Sequence, residues 1–484
     1  MKPNLIVICC DTFRADIVGS DQPLSFVKTP NLDRLAEEGV TFTRSYPEGL
    51  ATMPVRRCFF TGVPTFPWRF NVPNEGMHMR IGNGWHPIPA EQDTMAEVLH
   101  DAGYMTSFVA DTFHLFKPGC NFTRGFLSWD FIRGHENDMV RTGPFDKIDL
   151  AAHVPEDQAN PARHPTVAQY LLNALDRSYE EDFYAAKVLR SATRWVEDNR
   201  KNKPFFLWID SFSPHELWDP PRYYADAYYQ DESVKDYILP QVVNSLEGRT
   251  EADIERTKAL YYGFVTFVDR WIGHLFATLD AAGLWDDTIV MFVSDHGTEL
   301  MDKGQFSKSA TKLYPYMTRL NWIVRHPDGP RGTTCDAWTM NQDLFPTVMN
   351  LLGVECKVDD GFDMWPVATA GAKPVRDFVS TGCQHFACIR DDDFAVHFDA
   401  SKPRGDDAIT GLYDLQSDPE ETENVAAKHP DVAKRAFDRL EALTGPLPFD
   451  YSDKEYQARY CGLDRFNARV MNTYAPMRFG KEGK

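Results

Sequence analysis

Apolar residues gather in short, near-continuous runs along the chain, and four of these runs share a habit. Residues 4–10 (NLIVICC) lead into Asp11, and residues 104–110 (YMTSFVA) into Asp111. Residues 204–209 (PFFLWI) lead into Asp210, and residues 289–294 (IVMFVS) into Asp295. Strands covered on both faces have this pattern, because every position along them meets apolar neighbours. Helical segments lie between the runs. Thr29-Pro30 opens one that Gly39 closes, and others fall near 90–102, 181–199 and 252–282. The alternation predicts a doubly wound α/β sheet, whose ligands bind beyond the carboxyl ends of the strands. One strand-end Asp is usually a turn former or a cap; four of them point to a shared crevice.

Two other stretches depart from this rhythm. Residues 115–180 are irregular and rich in Asp, Pro, Arg and Gly, which reads as an insertion over the crevice. After residue 374 the runs become short and alternating, at 377–381, 386–390, 393–398 and 412–415, followed by a helix near 431–443. The expected organisation is therefore a catalytic domain over 1–374 and an antiparallel sheet-plus-helix subdomain over 375–444. Residues 445–484 form a Tyr- and Arg-containing tail suited to packing on the body or on a second copy of the chain.

Composition narrows the partners. Across 484 residues the net charge is −20, which disfavours nucleic acid and anionic membrane surfaces. No apolar run approaches the roughly 18 residues of a membrane span. The start, MKPNLIVICCDTF, reads as a first strand and not as a signal peptide. Nine scattered cysteines without Cys-x-x-Cys spacing suggest reduced thiols, so the expectation is a cytoplasmic enzyme.

Asp11 and the pair Asp295-His296 offer oxygen and nitrogen ligands from two strand ends, a set suited to Mn, Mg, Ca or Zn. The run ATMPVRRCFFTG (51–62) places Thr52 at a helix N-terminus, where free N–H groups and the helix dipole favour an anion. Alone, Thr52 would be an ordinary N-cap.

These segments together resemble a sulfatase-like member of the alkaline phosphatase superfamily. Thr52-Met53-Pro54-Val55-Arg56 through Thr61-Gly62 resembles the family's nucleophile motif, and Asn4…Asp11-Thr12-Phe13-Arg14-Ala15-Asp16 resembles its first metal motif. Thr29-Pro30-Asn31-Leu32-Asp33-Arg34-Leu35, then Gly39-Val40-Thr41-Phe42, resembles its first helix and second strand. Val268-Asp269 through Ser294-Asp295-His296-Gly297 resembles its second metal segment, and Leu412-Tyr413-Asp414-Leu415…Asp418-Pro419…Glu421…Asn424 its C-terminal signature. The resemblance implies an alkaline-phosphatase-like large mixed sheet flanked by helices, with a small C-terminal antiparallel subdomain.

Departures from the family pattern shape the expected chemistry. Sulfatases convert a Cys or Ser to formylglycine; Thr52 carries a methyl on Cβ and cannot become that aldehyde, and Cys58 lacks the Pro two places on. No formylglycine is expected. A Thr nucleophile, with uncharged Thr12 after Asp11, resembles phosphodiesterases and phosphonate monoester hydrolases. That pattern implies one divalent ion, Mn2+ or Zn2+ ahead of Ca2+ or Mg2+, held by Asp11, Thr52, Asp295 and His296. By the same resemblance Arg56 orients the nucleophile and neutralises the transferred group. Lys308 matches the substrate lysine, with Lys312 as its rival, and His215 matches the histidine that serves the leaving oxygen. Asp111 and His114 stand where sulfatases carry a Gly-Lys and a His, and are expected to touch the substrate. Asp210 with His215 could instead hold a second metal. The expected reaction is hydrolysis of a small anionic ester, a phosphodiester or phosphonate monoester, through a phospho-threonine intermediate. The alternatives are sulfate-ester hydrolysis without formylglycine, phosphotransfer, and anion binding without catalysis.

Overall fold

The computed structural model describes residues 2–67, 84–85, 87–116, 120–243, 249–309, 311, 313–358 and 360–448. Alternation within each apolar run explains how the strands are covered twice. Ile6, Ile8 and Cys10 face one core with Leu207, Ile209, Val290 and Phe292. Leu5, Val7 and Cys9 face the other with Phe206, Trp208, Ile289 and Met291. Helices Pro30–Glu37, Tyr184–Asn199 and Glu251–Ala282 supply the first cover, and helices Thr52–Thr61, Met95–Asp101 and Leu344–Leu351 the second.

The resulting sheet has eight strands, in the order Thr333–Cys335, Val40–Phe42, Trp322–Arg325, Thr288–Ser294, Asn4–Cys10, Phe205–Ser211, Met105–Ala110 and Ser128–Phe131. The strands from Thr288–Ser294 to Ser128–Phe131 run parallel, whereas Trp322–Arg325 is antiparallel to both its neighbours. The sheet is thus mixed, as the family resemblance implies. The stretch 115–180 is also more ordered than its composition suggests, since it contributes the edge strand Ser128–Phe131 and helix Pro165–Asn173. Four adjacent parallel strands bring Asp295, Asp11, Asp210 and Asp111 to one edge of the sheet, in that spatial order. No helix among the described residues is long and apolar enough to cross a membrane, and no disulfide joins the described cysteines.

One helix start differs from the sequence expectation. Thr29 precedes helix Pro30–Glu37 without capping it through its side chain. The buried Asp269, from the long helix, does so instead, accepting hydrogen bonds from the Leu32 N–H at 2.8 Å and the Asn31 N–H at 3.1 Å. A carboxylate at a helix N-terminus satisfies orphan donors and the dipole together. The conspicuous Val268-Asp269 pair therefore serves the fold.

The C-terminal sheet follows the expected four runs: Phe378–Cys383, Phe386–Asp391, Phe394–Asp399 and Ile409–Asp414, all antiparallel, with helix Pro430–Thr444 packed over Ile389, Val396, Phe398 and Leu412. It is stitched to the catalytic body at two places. Its first strand joins the segment before Thr52, where the Gly382 amide donates to the Glu48 carbonyl at 2.8 Å, and the Leu50 amide donates to the Gly382 carbonyl at 2.9 Å. The Thr381 hydroxyl donates to the Pro47 carbonyl at 2.7 Å. The second seam is polar. The Tyr314 and Tyr413 hydroxyls meet across it at 3.0 Å, Lys303 donates to the Glu421 carbonyl at 2.9 Å, and the Tyr314 ring lies 5.0 Å from that of His397. Within the sheet, buried Glu421 accepts from Arg390 at 2.6 Å and pairs with His397 at 2.9 Å. The tail expected to form an oligomer contact lies, beyond residue 448, outside the described residues.

Each seam has a measurable consequence. A Cβ on Gly382 would sit 2.2 Å from the Phe66 ring, itself buried and tied through its amide to Glu48. Gly382→Ala should lower stability by about 1–3 kcal/mol, read as a fall in the denaturation midpoint. At the second seam, burial opposes a charged His397, but Cys388 and Glu421 outweigh it and push the ring up to about 9. Its folded value lies above the ordinary value of about 6.5, so this stabilisation is complete below that pH and is lost as pH rises through 9. Thermal melts between those limits should fall more steeply for the wild type than for His397→Gln.

Candidate active site

Where the parallel strands end, Asp11, Asp210 and Asp295 are drawn together around one fully buried guanidinium. Arg56, one turn along helix Thr52–Thr61, donates from Nε to both Asp210 carboxylate oxygens at 2.9 and 3.0 Å. Its Nη1 donates to Asp11 at 3.0 Å, to Asp295, and to the Thr52 carbonyl at 3.3 Å. Arg56 therefore braces the carboxylates and the start of the helix that begins with Thr52. This corrects the expectation that it would reach a transferred group: its donors are spent on the strand ends.

Three carboxylates and one guanidinium leave two negative charges in a region closed to water. A divalent cation would balance them. Ligand atoms of Asp11, Asp295 and His296 all lie within 4.8 Å of one another, and all three residues are buried. The Nδ1 of His296 is occupied by the Gly297 carbonyl at 2.9 Å, while the buried Nε2 has no hydrogen-bond partner. Burial, first, holds this imidazole down at about 4, so it is a neutral ring with a lone pair to give. Burial tends to raise Asp11, yet Arg56, His215, His296 and Lys308 outweigh it and hold that carboxyl far below its usual range. Burial and Asp11 push Asp295 up. The donor set fits a divalent metal, and an orphaned Nε2 beside two carboxylates is what such an ion would satisfy. Gly297 is required by packing, since a Cβ there would lie 2.1 Å from the Tyr316 carbonyl oxygen.

A cavity of about 270 Å³ opens onto this cluster, lined among others by Thr52, His114, Glu136, His215, His296 and Lys308. Thr52 is the first residue of its helix and only 4% exposed, and the residue before it, Ala51, makes no side-chain cap. The hydroxyl thus stands at an uncapped N-terminus facing the cavity. Lys308 donates to the Thr12 hydroxyl at 3.2 Å and to Glu216. His215 shares that acid, its Nδ1 lying 2.7 Å from the Glu216 carbonyl and 3.2 Å from the carboxylate. Lys308 and His215 offset the burial of Glu216 and hold it at about 2.

The remaining candidates divide. His114 lines the cavity, its Nε2 3.5 Å from Glu136. Asp111 does not line it: one carboxylate oxygen accepts the Phe212 amide at 2.6 Å, and burial pushes the group up to about 8. It is a support beneath the site and not a substrate contact. Asp210 is committed to Arg56, to the Thr112 hydroxyl at 2.5 Å and to the Trp208 indole at 3.2 Å, so it shares no second metal with His215. Lys312 lies outside the described residues.

Sequence reasoning missed Glu216 and gave Glu136 no role in the chemistry. Glu216 follows His215 directly, a signal that was present. Met317, Cys383 and Gln384 also line the cavity, and nothing in their local sequence announces it.

The comparisons with known proteins agree with this architecture. The sequence model of the sulfatase family matches residues 3–354. An arylsulfatase of Clostridium perfringens is 24% identical, covering 88% of this chain and 90% of its own length. A multifunctional alkaline phosphatase superfamily protein of Trinickia caryophylli is 25% identical, covering 96% of each. Among solved structures, the phosphonate monoester hydrolase of Agrobacterium radiobacter superposes with a TM-score of 0.69 at 21% identity, covering 91% of this chain and 95% of its own. The chain therefore belongs to the sulfatase family of hydrolases, with the alkaline-phosphatase-like fold.

Proposed function

We propose that the protein is a metal-dependent hydrolase of phosphodiesters or phosphonate monoesters that uses Thr52 as its nucleophile. The observation that carries this reading is a threonine, uncapped at a helix N-terminus, facing a cavity shared with His296 and Lys308. A side chain with a methyl on Cβ cannot supply the aldehyde hydrate of formylglycine chemistry. It can attack phosphorus through Oγ and carry the phosphoryl group as an ester.

Asp11, Asp295 and His296 would hold the divalent ion, with Thr52 beside them. Such an ion, when bound, lowers the pKa of a hydroxyl and withdraws charge from the phosphoryl oxygens. A nitrogen ligand among the oxygens favours Mn2+ or Zn2+ over Ca2+ or Mg2+. Thr52 Oγ, its proton released to solvent, then forms its bond to phosphorus as the bond to the leaving oxygen breaks. Lys308, steadied by Glu216, neutralises the equatorial oxygens, and His215 gives its proton to the leaving oxygen. Water hydrolyses the phospho-threonine. The acidic surface and the enclosed cavity suit a small anionic ester rather than a nucleic acid, and a chain without disulfides among the described residues suits the cytoplasm. Hydrolysis of sulfate esters by unmodified Thr52 is the second reading, favoured by the arylsulfatase among the relatives.

Three experiments test this. Thr52→Ala should lower turnover of bis(4-nitrophenyl) phosphate by about 10³-fold or more, whereas unchanged activity would end both catalytic readings. Rates on that diester, on a 4-nitrophenyl phosphonate and on 4-nitrophenyl sulfate separate the two; a sulfate preference of about tenfold overturns the phosphorus assignment. Dialysis against a chelator should remove about one metal ion per chain together with the activity, and Mn2+ or Zn2+ should restore both.

A further inference from the structure

Glu136 is the one carboxylate among the described residues lining the cavity, and the reaction as derived leaves it without a task. Its place is built with care. The residue sits in the left-handed region at φ 49, where a side chain is rarely found without a reason. Its amide donates to His135 Nδ1 at 3.0 Å, and His135 Nε2 lies 3.4 Å from the Ser213 hydroxyl. Asp138 closes the same turn on the Gly134 amide at 3.0 Å, and Asn173 clamps the carbonyls of Gly134 and Asp138 at 2.9 and 2.7 Å. This stiff turn aims the carboxylate at His114, whose ring is held by Trp85 and Phe212 at centroid distances of 5.2 and 5.8 Å. The charged or titratable groups that face Glu136 are His114, His215 and His135.

The second half of the proposed reaction is where such a pair is needed. A formylglycine ester can expel its product by collapse of a hemiacetal, but a threonine ester cannot, so Thr52 must be released by a second in-line attack. We propose that Glu136 is a positioning residue that orients His114 as the general base for the water attacking phospho-Thr52. The inference rests on Thr52 being the nucleophile. The water oxygen forms a bond to phosphorus, and the bond from phosphorus to Thr52 Oγ breaks. The water proton passes to the His114 nitrogen that does not face Glu136, while the other nitrogen keeps its proton toward the carboxylate. His114 then releases that proton to solvent, and Thr52 Oγ recovers one from solvent.

The test is pre-steady-state release of 4-nitrophenol from bis(4-nitrophenyl) phosphate by the metal-loaded protein, with intact-mass analysis of acid-quenched samples. In Glu136→Gln the burst should remain near one equivalent per site, while steady-state turnover falls by about 10²-fold. The 4-nitrophenyl-phosphoryl adduct on Thr52 should accumulate, and Glu136→Asp should recover part of the turnover. A variant in which burst and steady state slow together, or in which the adduct never exceeds the wild-type level, overturns the inference and leaves the nucleophile assignment standing. Absence of any Thr52 adduct in wild type quenched during the burst, together with undiminished activity of Thr52→Ala, would overturn the nucleophile assignment itself. A larger loss on esters with a cationic leaving group than on neutral ones would show that Glu136 contacts substrate, and would also overturn the positioning role.

Discussion

Like charges held together without water dominate this molecule. Asp11, Asp210 and Asp295 stand side by side because three parallel strands do, and each is fully buried. Such an arrangement is costly unless every carboxylate is paired and hydrogen-bonded. Arg56 supplies one positive charge and five hydrogen bonds to these acids. The Thr12 amide and the His296 amide both donate to one oxygen of Asp295 at 3.0 and 2.8 Å. What is left uncompensated is two units of negative charge beside a lone imidazole nitrogen. The candidate metal site and the hydrogen-bonded packing of its walls thus have one origin. Because Arg56 lies on the helix that begins with Thr52, the same ion cluster fixes where that hydroxyl stands.

Across the cavity the arrangement inverts. There one acid serves two basic side chains: Glu216 holds both Lys308 and His215, so a single carboxylate aims the pair. A transferred anion would meet positive groups from two directions, while His114 and Glu136 form a separate pair. The cavity divides into regions of different electrostatic task because each acid answers to a particular set of donors.

Much of this was readable in the sequence where chemistry coincides with local pattern. Apolar runs ending in Asp located four strand ends, and the fold gathers Asp295, His296 and Asp11, the candidate ligands read from the sequence. Thr52, read from its helix start, and Lys308 and His215, read by motif, line one cavity. Asp111 shows where that logic stops: the same strand-end position serves a neighbouring backbone amide, since what an acid meets depends on the adjacent strand and not on its own. Arg56 reads as a substrate group from its spacing to Thr52, but three distant carboxylates claim it. Gln384 was hidden because sheet docking brings it to the cavity, and it leaves no periodic trace.

The stitch between the C-terminal sheet and the segment before Thr52 also bears on how the protein comes into being. The hydroxyl of Thr381 reaches the carbonyl of Pro47 across 334 positions of chain, and Gly382 closes the neighbouring pair of hydrogen bonds. A chain emerging from the ribosome therefore makes Thr52 long before the strand that backs it. Until that strand arrives, the turn ahead of Thr52 lacks these partners. Completion of the site is thereby tied to synthesis through Gly382, and a chain terminated before it carries Asp11, Asp295 and His296 yet lacks the backing of the turn ahead of Thr52.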